Sequence, residues 1–223
     1  MAGVLTLIAD QQRRYPTTSE YGGEKLVGNL HARRQKTQTQ TLRIIGGRYR
    51  GRKLNFAAVD GLRPTGDRIR ETLFNWLAPE LPGARCLDLF AGSGALGLEA
   101  LSRGAGEVLM CERDKQAAAC IADSLKVLGD SQGQLRPGDS LSFLQQSPEP
   151  FDIVFLDPPF SADLWQAVID ALGPWLAADA LVYIESQTDT AYCVPASWQL
   201  HRDKRAGKVR YCLYRVASAE RIL

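Results

Sequence analysis

From residue 84 onward, short apolar runs of strand character alternate with stretches whose apolar positions recur at helical spacing. The spacing predicts strands over 85–90, 107–111, 151–156 and 180–185, and helices over 94–103, 114–128 and 163–172, with a helical turn near 140–146. Such alternation builds a mainly parallel sheet with helices on both faces. The rhythm breaks at the end of the chain. There, 198–204 and 208–216 are extended runs joined by Arg205-Ala-Gly207, which predicts an antiparallel hairpin closing the sheet. Ahead of the sheet, Ile69, Leu73, Trp76 and Leu77 fall at i, i+4, i+7 and i+8 and mark an amphipathic helix whose other face carries Arg68 and Glu71. Thr65 or Asp67 can cap it, and Pro79, Pro82 and Gly83 end it.

Upstream of that helix the pattern is different. Leu42-Arg-Ile-Ile-Gly-Gly-Arg-Tyr-Arg-Gly-Arg-Lys-Leu-Asn-Phe56 is two short apolar and basic runs punctuated by glycine, predicting a basic β-hairpin arm over 41–60. Residues 1–40 mix Thr-Thr-Ser, Tyr-Gly-Gly and Gln-Thr-Gln-Thr with few apolar anchors, the composition of a flexible tail. No internal repeat is visible, so 61–223 reads as one α/β domain carrying the arm.

The chain has 223 residues, 45% of them apolar, enough to bury a full core. It contains no apolar run near the roughly 18 residues that span a bilayer, and its first ten residues lack a basic region before their short apolar stretch. A cytoplasmic protein is expected. The five cysteines (Cys86, Cys111, Cys120, Cys193, Cys212) never form a C-x-x-C pair, and His31 and His201 stand far apart, so neither a disulfide framework nor a metal site is expected.

Charge changes the picture more. The net charge of +2 hides a segregation: residues 1–80 carry 14 basic and 7 acidic groups, residues 81–197 carry 6 and 16, and residues 198–223 carry 7 and 2. An acidic body between basic flanks fits a polyanion better than a small anionic metabolite. Arg43, Arg48, Arg50, Arg52 and Lys53 on the arm are candidate phosphate contacts, with Tyr49 available to stack on a base. Lys204, Arg205 and Lys208 on the far hairpin are placed to grip the same strand.

Two motifs carry chemistry. Asp88-Leu-Phe-Ala-Gly-Ser-Gly94 ends the first sheet strand and opens a helix, where an open parallel sheet holds its ligand. Gly92 and Gly94 allow a tight turn and close backbone approach, and Gly92-Ser-Gly94-Ala-Leu-Gly97 satisfies the dinucleotide fingerprint by letter, with Glu112 about the right distance onward for ribose hydroxyls. Asp88 decides between ligands: an anion just before the loop repels a pyrophosphate but welcomes a cofactor with an amino group and a sulfonium, which is S-adenosylmethionine. Glu112, followed by Arg113, is then the ribose acceptor, and Asp139 is placed to accept from the adenine amino group, to cap a helix, or to do both. Phe90 and Ser93 complete the loop. The second motif, Asp157-Pro-Pro-Phe160, ends the strand 151–156 at the same sheet edge. An exocyclic base amine is a poor nucleophile. If Asp157 and the Pro158 carbonyl accept its two N–H bonds, with Pro158 and Pro159 stiffening the turn, its lone pair is aimed at the methyl group. Phe160 is placed to stack on the unstacked base. Arg63, Thr65 and Arg68 precede the sheet and can close over the cofactor or the base.

Arg43 to Leu54, Leu62-Arg-Pro-Thr-Gly-Asp-Arg-Ile-Arg-Glu-Thr-Leu-Phe-Asn-Trp-Leu77, Asp88 to Gly97 and Asp157 to Phe160 together resemble the RsmD family, the bacterial 16S ribosomal RNA guanine-N2 methyltransferases, over about residues 42–216. The resemblance implies a class I S-adenosylmethionine-dependent methyltransferase fold and methylation of guanine 966, in the RNA's own numbering. It also implies a substrate already partly assembled into the small ribosomal subunit, and a monomer is the simplest acting unit. The residues alone leave a DNA adenine-N6 methyltransferase as the main alternative, since adenine N6 poses the same nucleophilicity problem. A nicotinamide oxidoreductase leaves Asp88 and the double proline unexplained, and a non-catalytic RNA-binding protein needs the basic flanks only.

Overall fold

The computed structural model describes residues 39–58, 65–159 and 164–217. Arg63, Phe160 and the predicted tail up to residue 38 lie outside them. The arm is a two-stranded antiparallel ribbon, β1 (Thr39–Arg43) and β2 (Lys53–Ala57), so its first strand starts two residues before the predicted boundary. α1 (Asp67–Leu77) follows, then alternating elements: β3 (Arg85–Asp88), α2 (Ala95–Ser102), β4 (Glu107–Glu112), α3 (Lys115–Leu128), β5 (Gly133–Pro137), α4 (Ser140–Leu144), β6 (Phe151–Leu156), α5 (Trp165–Leu172) and β7 (Leu176–Gln187). A final hairpin, β8 (Trp198–Ala206) and β9 (Val209–Val216), completes the sheet.

The sheet has the order β5-β4-β3-β6-β7-β9-β8, parallel from β5 to β7, with β9 antiparallel to β7. Chain order runs outward from β3 in one direction and returns through β6 in the other, so the switch point lies between β3 and β6. One face buries a core built by the arm (Leu42, Ile44, Leu54, Phe56), α1, α2 and α3; the other packs α4 and α5 around Trp165, Trp175 and Phe151.

Three elements depart from the sequence reading. β5 was not predicted. Gly-Gln-Leu-Arg-Pro holds one leucine, and as an edge strand it is half-exposed along its length, so no alternation betrays it. β7 begins at Leu176 and ends at Gln187, beyond the predicted 180–185, because the incompletely buried Leu-Ala-Ala-Asp at 176–179 and the polar Ser186 and Gln187 extend a buried centre. α1 takes Gly66 as its N-cap without a side-chain cap: Asp67 lies inside the first turn and bonds Arg70, while Thr65 is buried elsewhere.

The arm is clamped to the body. Glu99 of α2 is fully buried and accepts from the Ile45 N–H (2.9 Å), the Gly46 N–H (2.8 Å) and Arg103 Nε (2.7 Å). Arg70, also fully buried, lies 3.6 Å from Glu99 Oε2 and donates to the Arg43 carbonyl. Helical periodicity puts Arg70 on the core face beside Phe74, an exception the amphipathic reading of α1 misses. Trp76, expected in the core, is half-buried and stacks on Tyr211 at 5.5 Å.

Candidate active site

Both chemical motifs sit at the carboxyl edge of the parallel strands, on either side of the switch point: Asp88 at the end of β3 is in register with Phe155 of β6, two residues before Asp157. The loop after β3 turns through left-handed residues at Gly92 (φ 54°) and Gly94 (φ 77°). A Cβ on Gly94 meets Leu98 Cδ1 at 2.9 Å, and one on Gly97 meets Met110 Sδ at 2.5 Å, so the loop turn and the seating of α2 on β4 both require glycine. Ser93 and Gly94 are buried, Gly92 and Phe90 partly so.

The acidic groups occupy distinct positions. Asp88 is buried beneath the loop, with Oδ2 accepting the Gly97 N–H at 3.1 Å. Burial pushes its carboxyl up to about 7; the Gly97 and Phe90 N–H groups oppose the rise and the Glu112 charge adds to it. Glu112 bonds the Gly92 N–H and the Asp114 N–H, both at 2.7 Å, and so braces the loop from β4. Asp139 caps α4 through the Ser142 N–H at 2.9 Å, which is the second of its two expected roles; its side chain is exposed at the same edge. Arg113 is exposed beside Glu112. Asp157 is half-buried, Pro158 is buried and Pro159 is partly covered. Burial, then the charges of Glu185 and Asp88, hold the Asp157 carboxyl well above the usual carboxylate range.

Thr65 was expected at the cofactor or the base; it is buried, and its nearby hydroxyl opposes the rise of the Asp157 and Glu185 carboxyls. Arg68 is exposed one turn on. Glu185 and Tyr183, which the sequence reading passed over, stand beside Asp157 on β7, with Tyr183 Oη 2.8 Å from Glu185 Oε2. A glutamate in a run otherwise reading Leu-Val-Tyr-Ile was the signal that could have found them.

The basic residues split. The turn of β8–β9 lies at the same edge as Asp157, because β9 starts at Val209 opposite Gln187, the end of β7. Lys204, Arg205 and Lys208 are exposed there, with Lys204 Nζ 5.8 Å over the Trp76 ring. The arm's tip lies at the other edge, against Ser102 and Asp130, about 12 Å away along α2 at 1.5 Å per residue. The arm's tip and the β8–β9 turn therefore lie at opposite edges of the sheet. Two arm residues also differ from expectation: Arg48 is ion-paired with Asp130, and Tyr49 is packed on the core with its hydroxyl on Asp130 at 3.2 Å. Tyr49 is not available to stack. Arg43, Arg50, Arg52 and Lys53 are exposed. Among the described residues no group of His, Cys, Asp or Glu is arranged for a metal ion, and no helix is long and apolar enough to cross a membrane.

Comparison with known proteins covers most of the chain. Residues 42–215 match the family model described as Conserved hypothetical protein 95. The curated Ribosomal RNA small subunit methyltransferase D of Escherichia coli K12 is 49% identical over 176 residues, covering 78% of this chain and 89% of that protein. The protein of the same name from Haemophilus influenzae is 46% identical over 179 residues, covering 78% and 93%. A solved Escherichia coli structure with a provisional methyltransferase assignment superposes with a TM-score of 0.74 at 49% identity, covering 80% of this chain and 99% of that one. An RNA methyltransferase from Salinibacter ruber, solved with S-adenosyl-L-homocysteine, shares the fold at 14% identity and a TM-score of 0.56, over 70% and 95% of the two chains.

Proposed function

Because the chain belongs to the RsmD family, the family of ribosomal RNA small subunit methyltransferase D, we propose that it transfers a methyl group from S-adenosylmethionine to the N2 nitrogen of a guanine in 16S ribosomal RNA, guanine 966 being the expected target. The observation that carries the reading is the placement of Asp157-Pro-Pro beside the glycine loop across the β3/β6 switch point.

The site fits the cofactor on its own chemistry. Asp88 and Asp157 are acidic groups raised by burial and by their neighbours' charges, and a cation brought among them relieves that repulsion. The glycine loop leaves no Cβ where a ligand must approach. Gly92, Ser93 and Gly94 would line the methionine portion, Glu112 the ribose, and Phe90, Arg113 and Asp139 the adenine; Asp88 supports the loop from below. S-adenosylmethionine supplies an electrophilic methyl group on a sulfonium.

The chain's own residues handle the amine. Asp157 and the Pro158 carbonyl accept its N–H bonds and fix the direction of its lone pair, and Pro159 holds the turn rigid. Phe160 is proposed to stack on the base. Thr65, beside the Asp157 carboxyl, is proposed to favour its charged form. Arg63 and Arg68, ahead of and on α1, are proposed to flank the entering nucleotide, and Arg43, Arg50, Arg52, Lys53, Lys204, Arg205 and Lys208 to contact phosphates, with Arg48 supporting the arm. Cationic groups at opposite edges suit a folded RNA surface, which supports a partly assembled small subunit as substrate, met in the cytoplasm. A monomer is proposed as the acting unit.

The relatives named above act on ribosomal RNA by name, and no feature of the site favours DNA adenine. Transfer of label from S-adenosylmethionine to unmodified small subunits, naked 16S RNA and duplex DNA tests the reading. N2-methylguanosine from subunits is expected; N6-methyladenine from DNA refutes it.

A further inference from the structure

Asp157 does not face the site alone. Leu156 is in register with Ile184, so the next step along these two parallel strands sets Asp157 beside Glu185 on the same face of the sheet, at the roughly 4.8 Å spacing of neighbouring strands. The row continues through Tyr211, opposite Glu185, to Lys204, opposite Tyr211. Glu185 is 5% exposed, and a carboxyl buried to that degree needs hydrogen-bond donors. Burial raises it, and the Tyr183 hydroxyl, 2.8 Å from Oε2, opposes the rise. Tyr183 thereby fixes one carboxyl oxygen and leaves Oε1 to a second donor.

The end of the site that receives the base is therefore walled by acceptors: the Asp157 carboxyl, the Pro158 carbonyl and the Glu185 carboxyl. Purines differ in what they offer such a wall. Guanine carries an N1–H next to its N2 amino group, so its edge presents neighbouring donors, whereas adenine carries its amino group next to a bare N1 lone pair. A base drawn out of its stack is read by hydrogen bonds to this edge. With the two amino hydrogens on Asp157 and Pro158, one donor of guanine is left over, the N1–H, and one acceptor of the wall, Glu185.

Resting on the amine-methylation reading above, we propose that Glu185 is the residue that selects guanine, its Oε1 accepting the N1–H of the base whose N2 is held by Asp157. Against adenine the same oxygen meets the N1 lone pair, acceptor against acceptor, and a buried anion is left without its donor. Tyr183 is a positioning residue: it holds Oε2 so that the other oxygen is the one offered to the base. The arrangement gives a role to a buried glutamate–tyrosine pair that the cofactor loop, braced by Glu112, does not use.

2-Aminopurine tests this, because it keeps the 2-amino group of guanine and has no N1–H. Small subunits rebuilt with 16S RNA carrying guanine or 2-aminopurine at the target position are compared in single-turnover methylation by the full chain. Wild type is expected to prefer guanine by about 10⁴-fold, the discrimination of a site built to bond a group that the analogue lacks. 2-Aminopurine also lacks O6, so Glu185→Gln isolates the share of the N1–H. Its amide can turn an N–H to the bare N1, and the guanine preference is expected to fall about 100-fold, with S-adenosylhomocysteine affinity unchanged. Equal losses on both substrates mark a merely structural role and overturn the proposal, as does a wild type that methylates 2-aminopurine within about tenfold of guanine. Should Glu185→Gln fail to bind S-adenosylhomocysteine, Tyr183→Phe carries the test: the preference is expected to fall about tenfold, and an unchanged preference overturns the assignment. Absence of N2-methylguanosine from the guanine subunits refutes the amine-methylation reading and this proposal with it, whereas methylated guanine with an unchanged preference in Glu185→Gln refutes only the part given to Glu185.

Discussion

Glu99→Ala is the substitution with the largest expected cost outside the catalytic edge. Glu99 is fully buried, bonds two arm N–H groups and Arg103, and is the buried anion that faces the Arg70 guanidinium. Removing it leaves Arg70 as a buried cation with only Asp67 and the Arg43 carbonyl, and strips the acceptor from Ile45 and Gly46. Breaking a buried pair by deleting one partner costs about 3–5 kcal/mol, and the stranded N–H groups fall within that range rather than adding in full. At about 2–4 °C per kcal/mol for a domain of this size, the melting temperature drops by roughly 6–20 °C. Because Ile45 and Gly46 lose their acceptor, hydrogen exchange accelerates first at the arm, ahead of the sheet. Calorimetry of Arg70→Ala, Glu99→Ala and the double variant closes a cycle in which the double change falls short of the summed singles by about 1–3 kcal/mol. A Glu99→Ala loss under about 1 kcal/mol, or strict additivity within about 0.5 kcal/mol, refutes the clamp.

Other consequences are as direct. Gly94→Ala forces a Cβ against Leu98 at φ 77°, and calorimetric affinity for S-adenosylhomocysteine is expected to fall at least about tenfold, the equivalent of 1.4 kcal/mol. Asp88 sits at about 7 when folded against 3.8 as its ordinary value, a raised acid, so its contribution is full below pH 4 and is lost as pH rises through 7. Wild-type stability to urea should therefore decline across that window by on the order of 4 kcal/mol, and Asp88→Asn should flatten the decline. Replacing Lys204, Arg205 and Lys208 by alanine is expected to weaken RNA binding and reduce the slope of log affinity against log salt by about 0.7 per lost contact, whereas Tyr49→Phe leaves that slope unchanged because its hydroxyl serves Asp130. Asp157→Ala should abolish label transfer while leaving the fold intact, since its side chain lies at the strand end and not within the core.

The catalytic edge was legible because its requirements are local. Glycine at two left-handed turns, an acid before them and a proline pair after a buried strand are each written in consecutive letters, and strand–helix alternation supplies the common edge. What was not legible depends on partners distant in sequence. Arg48 and Tyr49 look like free contacts until Asp130, some eighty positions later, claims both. Arg70 and Glu99 look like solvated helix charges until α1 and α2 are packed against the arm. β5 has no buried face of its own to announce it, and Glu185 gains meaning only when β7 is laid beside β6.

Among the described residues β8 lies at the margin of the sheet with one side unpaired, and from Gln199 to Arg205 every residue is exposed. A long, bare sheet margin is a template for a second copy of the chain, and lysine and arginine along it are the usual protection against such pairing. Arg202, Lys204 and Arg205 are exposed along it, and we expect them to hinder such pairing in addition to the RNA contact proposed for Lys204 and Arg205. Charge-removing variants made to map the RNA contact will gain a tendency to self-associate, visible by light scattering in the absence of any nucleic acid.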